Sequence, residues 1–224
     1  MIRRDYILRM IEEFFQMLSR LNAQKKGELW QDAAGTLDEE FQRLVGTGAE
    51  GVARLSGTEL LAQLVEAGPT HLVQTKALML ATLLKETGDV AAASGQAEQS
   101  RACYLKGLHL LLDTFGRGEV TDCPEFVPQV EAFVLALAEA PLPLSTHARL
   151  MEHYERDGEF GKAEDALFAM LETEPDNPDL LNFGIAFYER LAAHADTALA
   201  EGNLPRAEVE AGLRQLRDRK QHQS

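Results

Sequence analysis

Cysteine, aromatic side chains and long apolar runs are all scarce in this chain, and each shortage excludes something. The two cysteines, Cys103 and Cys123, stand twenty residues apart. That separation fits neither a zinc-ligand pair nor a redox CxxC. Cys103 falls in a helical pattern beside Tyr104 and reads as a buried thiol. Cys123 precedes Pro124 at an expected helix start, where a thiolate is favoured, so a reactive thiol is the alternative there. Aromatic residues make up only 7% of the chain while Ala and Leu dominate, which favours helices over strands. No apolar run reaches the roughly 18 residues that suggest a spanning helix. The N-terminus begins basic, as a secretory leader does, but Arg9, Glu12 and Glu13 interrupt any apolar region and no small-residue cleavage site follows. A cytoplasmic, unprocessed protein is expected.

Basic residues are also few: 22 Lys and Arg against 36 Asp and Glu, a formal charge of −14. The imbalance sits in residues 31–213, whereas residues 1–30 and 214–224 are each net basic. An acidic body repels phosphate backbones, so nucleic acid is excluded as a partner. The acidity serves either solubility or a basic partner segment.

Chemistry-bearing motifs are missing as well. The six histidines form no HExxH, and no Glu precedes a His by three, so zinc-protease and carboxylate-bridged di-iron patterns are absent. The chain has no GxxxxGK[ST], no GxGxxG at a strand–helix junction and no GxSxG. The acidic pair Asp176 and Asp179 reads as helix N-terminal charge. Neither an enzyme activity nor a cofactor is expected.

What the chain has is helical periodicity. A first helix over about 5–21 carries Ile7, Ile11, Phe14, Leu18 and Leu21 at alternating spacings of four and three, flanked by Tyr6, Met10, Phe15 and Met17. Its apolar arc exceeds the roughly 100° a surface helix needs, so it buries two sides. Ile7, Ile11, Phe14, Phe15 and Leu18 are the candidate contacts with a second copy, and extra core is the alternative. A membrane surface is disfavoured by Glu12 and Glu13. Thr36 to Glu39 and Ser56 to Glu59 fit the capping box and predict helices over 37–45 and 57–67, with Trp30 as a packing anchor before the first and a loop over Gly46 to Gly51. Further helices are expected over 71–86 and 97–115, with a small-residue break over 88–96. Others follow through Phe126 to Leu137, and over 145–157, 159–173, 178–200 and 205–219. The domains expected are an N-terminal helix over 1–26, one helical domain over 27–220 and a disordered tail over 221–224.

The stretch from Gly158 to Pro178, GEFGKAEDALFAMLETEPDNP, repeats a recognisable schedule. Gly158 marks a turn. Phe160, Ala163, Leu167 and Met170 form the stripe of a second helix, Ala163 is small where helices cross, and Pro175 ends it. This resembles a tetratricopeptide (TPR) repeat. Gly95 is echoed by Ala97, Ser100, Tyr104 and Gly107, and Gly202 by Leu204, Ala207 and Ala211. The turn glycines are 63 and 44 residues apart, so the array is irregular, and generic helical hairpins are the plainer reading. Separately, RRDYILRMIEEFFQML (Arg3 to Leu18) and the segment Tyr104 to Leu108 resemble an uncharacterised bacterial family, a domain of unknown function whose members open on such a helix and end in TPR-like helices. That resemblance covers the whole chain and implies an all-α, right-handed array of antiparallel helix pairs, with no assigned activity.

A TPR-like array implies a concave face built from the first helix of each pair. Residue by residue, that face takes Ser145, Ala148, Glu152, Glu155 and Arg156 from one helix and Asp179, Asn182, Ala186, Glu189 and Arg190 from another. The basic and Asn positions of the carboxylate-clamp subset are occupied here by Ala148, Glu152 and Ala186, with only Asn182 compatible. A neutral or basic partner segment therefore suits the face better than an acidic tail. The expected function is a non-enzymatic protein-interaction module. The alternative is a self-assembling or regulatory protein whose groove is closed by its last helix, and a small-ligand binder or enzyme is the third reading. The basic tail is expected to pair with the acidic body of a neighbouring molecule.

Overall fold

The computed structural model describes residues 2–66, 70–117 and 123–222. They form twelve helices, and no strand occurs among the described residues. The chain is all-α, as its Ala- and Leu-rich composition requires. The chain forms two compact units, Met1–Pro141 and Leu142–Ser224.

The first unit contains α1 (Ile2–Lys26), α2 (Trp30–Val45), α3 (Ala49–Arg54), α4 (Gly57–Glu66), α5 (Thr70–Ala93), α6 (Ala97–Gly116) and α7 (Val130–Ala136). Helix α1 packs on α2 and α5, and α5 pairs most extensively with α6. The core is apolar, with Phe14, Leu21, Leu37, Phe41, Leu80, Leu83, Leu108 and Phe133 all buried. The second unit contains α8 (Leu144–Arg156), α9 (Phe160–Thr173), α10 (Pro178–Leu191), α11 (Asp196–Glu201) and α12 (Arg206–His222). Here α8 pairs with α9, and α10 pairs with α12.

Four of the turns are built alike. In each, one residue adopts a left-handed conformation: Glu28 (φ 56°), Gly95 (φ 76°), Gly158 (φ 77°) and Asn203 (φ 63°). The next backbone N–H then donates to a carbonyl five residues back, from Leu29 to Gln24, Gln96 to Ala91, Glu159 to Tyr154 and Leu204 to Leu199, at 2.8–3.0 Å. This closes orphan carbonyls at a helix end and reverses the chain in two residues. The recurrence confirms antiparallel helix pairs and places a fourth pair, α1 with α2, that glycine spacing missed because Glu28 holds the turn. Five residues beyond three of these turns lie Ala33, Ser100 and Ala163, all buried.

The third echo is out of register. Asn203, not Gly202, takes the left-handed position, and Ala207 and Ala211 are exposed. The close approach in that pair falls on other glycines. A Cβ on Gly212 would lie 2.3 Å from Tyr188 Cζ, and one on Gly184 would lie 2.6 Å from Leu216 Cδ1. In the first unit a Cβ on Gly88 would meet the Tyr104 ring at 2.4 Å, and one on Gly107 the Phe133 ring at 2.7 Å. Gly202 is itself buried, with its carbonyl accepting from Gly161 N–H at 2.8 Å.

Other expectations are corrected. The box at Ser56 is real: Glu59 N–H donates to Ser56 Oγ and Ser56 N–H to Glu59 Oε2. Thr36 instead lies inside α2, which starts at Trp30, and its buried hydroxyl donates to Gln24 Oε1 at 3.0 Å. The expected loop over Gly46 to Gly51 is half helix, since α3 starts at Ala49. The expected break over 88–96 is mostly α5, which runs to Ala93. Packing against Tyr104 makes Gly88 useful inside a helix. The long helix over 178–200 is two helices, parted at residues 192–195. Cys123 precedes a turn, with the next helix starting only at Val130, and partial burial raises its thiol pKa. Helix α12 reaches His222, so residues 221–222 are not a tail, while 223–224 and 118–122 lie outside the described residues. Phe14 is fully buried and so is no subunit contact. Ile7, Ile11 and Leu18 are half-buried. Phe15 is exposed, with its ring edge on Phe126 at 5.5 Å.

Two substitutions should move stability in opposite directions. Gly212→Ala forces Tyr188 out of a filled space and should cost about 1–3 kcal/mol. Glu28→Gly relieves a left-handed side chain at an exposed turn and should gain about 0.5–1 kcal/mol. Urea unfolding of both variants beside the parent checks the signs; a neutral Gly212→Ala would refute the close crossing.

Candidate functional site

Several of the residues expected to line a concave face are engaged in ion pairs or helix caps. On α8 and α10, Arg190 makes two hydrogen bonds to Glu155, at 2.6 and 2.7 Å. The Glu155 hydrogen bond, opposed by burial, raises the Arg190 pKa. Glu189 faces Arg217 of α12 at 2.7 Å. Asp179 sits in the first turn of α10, its N–H accepted by the Asn177 side chain that caps the helix. Glu152, Arg156 and Asn182 are exposed. The structure therefore joins Glu155 to Arg190 and turns Glu189 toward the last helix. The basic end of α12 is used within the unit, since Arg219 also donates to the Pro175 carbonyl at 2.8 Å.

A concave feature of the second unit lies elsewhere, on the other helix of the pair. It is a cleft of about 590 Å³ between the start of α9 and the α11–α12 turn. Glu159, Glu164 and Asp165 come from one wall, Glu201 and Glu208 from the other, and the backbone of Gly161, Gly202 and Asn203 forms the floor. Gly161 must be small there, because a Cβ would stand 3.0 Å from the Asn203 carbonyl oxygen. Five carboxylates face one ammonium, Lys162, which pairs with Glu159 and also lies 5.1 Å above the Tyr154 ring. Glu164 is the most buried of the set. Burial raises its pKa, and Glu208 and Asp165 add to this, against a hydrogen bond from the Tyr188 hydroxyl at 2.6 Å. The Tyr188 pKa is raised by burial and by that same carboxylate. The cleft thus carries strong negative potential, and a cation entering it would favour the ionised form of Glu164. Acidic density around Gly158 and Gly202 was visible in the sequence, but their meeting depends on the Gly161 to Gly202 hydrogen bond.

The first unit holds a second polar cluster, where α1, α5 and α6 meet. Lys25 Nζ donates to Glu86 Oε2 at 2.6 Å and Asp89 Oδ2 at 2.8 Å; Lys85 also reaches Asp89 Oδ2, and Tyr104 donates its hydroxyl to Asp89 Oδ1, both at 2.8 Å. Burial opposes ionisation of both Lys25 and Asp89, yet the hydrogen bonds win, raising the lysine pKa and lowering the carboxylate's. Ser100 hydrogen-bonds the same Tyr104. These bonds link groups from α1, α5 and α6, so the cluster fastens helices together. Lys106 does similar work, donating to the carbonyls of Val52, Ala53 and Leu55 at 2.8, 2.7 and 2.7 Å and closing the end of α3.

Among the described residues no three His, Cys, Asp or Glu side chains are grouped to hold a metal ion, and no helix is long and apolar enough to cross a membrane. A family model described as a family of unknown function (DUF6483) matches residues 1–221. No curated protein and no solved structure is a match to the sequence.

The lowered Asp89 pKa has a defined pH consequence. Its stabilisation is complete above the ordinary aspartate value of about 3.9 and is lost as pH falls through the lowered value. The raised Lys25 value acts at the other end, with stabilisation lost as pH rises through it, above about 10.5. Asp89→Asn should therefore cost about 1–3 kcal/mol at neutral pH and leave the acid limb of the stability curve flatter. An unchanged acid limb in urea unfolding between acid and neutral pH would show that other carboxylates set it.

Proposed function

Since the chain belongs to this family of unknown function, which carries no activity with it, we propose that it is a non-enzymatic, TPR-like protein-interaction module whose second unit holds a basic partner segment. The observation that carries this reading is the acidic cleft of about 590 Å³, with five carboxylates and one ammonium on its walls. Its size suits a few side chains of a peptide, and its charge favours Lys and Arg over any anion. The recurring helix pairs supply the rigid support that such surfaces use in helical arrays. Free thiols at Cys103 and Cys123 support a reducing, cytoplasmic setting.

A second reading has its own support. Helix α12 engages Glu189 through Arg217 and the Pro175 carbonyl through Arg219, which favours a self-closed array that acts structurally. The two readings separate in one titration. A fluorescent Lys- and Arg-rich octapeptide should bind the full chain, a Glu-rich one should not, and Glu201→Lys with Glu208→Lys should weaken binding at least about tenfold, or about 1.4 kcal/mol. Raising salt should weaken it further, as expected for exposed charge pairing. Equal binding by parent and double variant would refute the cleft as the site and leave the self-closed reading.

A further inference from the structure

The first unit contains a pocket of the opposite character. It encloses about 370 Å³ between α1, α2 and the start of α5. Met10 and Leu44 form an apolar wall, each only 6% exposed, with Tyr6 at the rim. Three cations reach it: Arg9, Arg43 and Lys76. Two of them are neutralised. Glu13 accepts from Arg9 at 3.0 Å and from Arg43 at 3.1 Å, and Glu40 takes two further hydrogen bonds from Arg43, at 2.9 and 2.5 Å. Lys76 is different. It is half-buried in the pocket wall and makes no hydrogen bond or ion pair among the described residues.

A half-buried lysine without a partner among the described residues gains from a matching anion, because a charge-assisted hydrogen bond is stronger than a neutral one and the low-dielectric wall amplifies it. One uncompensated positive charge selects one negative charge. A phosphate dianion would bring a second negative charge beside Glu13 and Glu40 and meet repulsion. The apolar wall selects a hydrocarbon part attached to that anion. At about 30 Å³ for each water displaced, the volume holds a small molecule of about a dozen heavy atoms. We propose that this pocket binds a small monoanionic amphiphile, a carboxylate on a short apolar chain or ring, with Lys76 paired to the carboxylate and Met10, Leu44 and Tyr6 around the apolar part. This site lies within the first unit and does not depend on the acidic cleft of the second.

The test uses the full chain and octanoate as probe, with octanol as its uncharged counterpart, titrated by calorimetry. Octanoate should bind with a Kd below about 1 mM, and octanol at least about tenfold more weakly. Lys76→Gln should remove that preference for the acid, Lys76→Arg should keep it, and Lys220→Gln in the other unit should leave it unchanged. Melting temperatures of all variants report that the fold is retained. Equal affinity for octanoate and octanol, an unaltered preference in Lys76→Gln, or absence of octanoate binding up to about 10 mM would each overturn the proposal. Binding of the basic octapeptide is read separately, so failure here leaves the interaction reading untouched.

Discussion

Close helix crossing at residues with little or no side chain is the constraint on which this structure depends. Gly88 and Gly107 in the first unit, and Gly184 and Gly212 in the second, leave room that Tyr104, Phe133, Leu216 and Tyr188 fill. An aromatic ring laid across a helix backbone buries a large apolar area, but it also carries a hydroxyl inside. Both units answer this in the same way. Tyr104 donates to Asp89 and Tyr188 to Glu164, each at hydrogen-bond distance. The glycine, the tyrosine and the carboxylate are one arrangement: without the glycine the ring cannot lie flat on the helix, and without the carboxylate the hydroxyl is stranded.

The two carboxylates then diverge because of what surrounds them. Asp89 has Lys25 and Lys85 beside it, so it stays ionised and ties α1 to α5. Glu164 has Asp165 and Glu208 as charged neighbours, and its proton is held more tightly. One arrangement thus closes a structural joint in the first unit and borders an open acidic cleft in the second. The contrast between the units extends to their concave features: the cleft of the second is lined by carboxylates, while the pocket of the first keeps one positive charge in reserve at Lys76.

Much of the helical layout was legible from periodicity and caps. The stripe through Phe160, Ala163, Leu167 and Met170 is buried as its spacing implies, and the Ser56 to Glu59 box has both reciprocal hydrogen bonds. The misreadings share a cause. Glycine reads as the marker of turns, yet Glu28 and Asn203 hold two of the five left-handed positions among the described residues, while Gly88 lies within a helix and Gly184 and Gly212 serve helix contacts. A lone glycine in a sequence does not reveal whether it is there for its backbone freedom or for its missing Cβ. Thr36 misled similarly, since a hydroxyl that can cap a helix can also bond a neighbouring side chain, here Gln24. On the candidate face of α8 and α10, Arg190 pairs with Glu155 and Arg217 of α12 with Glu189, pairings that no spacing along the chain predicts.

By itself the sequence determined that the chain is helical, acidic and lacking the familiar catalytic signatures, because composition and local spacing act over a few residues. Tertiary structure alone decided which carboxylates share a cleft, which lysine has no partner among the described residues and where the chain divides into two units. Those outcomes depend on residues far apart in sequence, Glu159 with Glu208 and Met10 with Lys76, brought together by helix crossings whose positions no local pattern encodes.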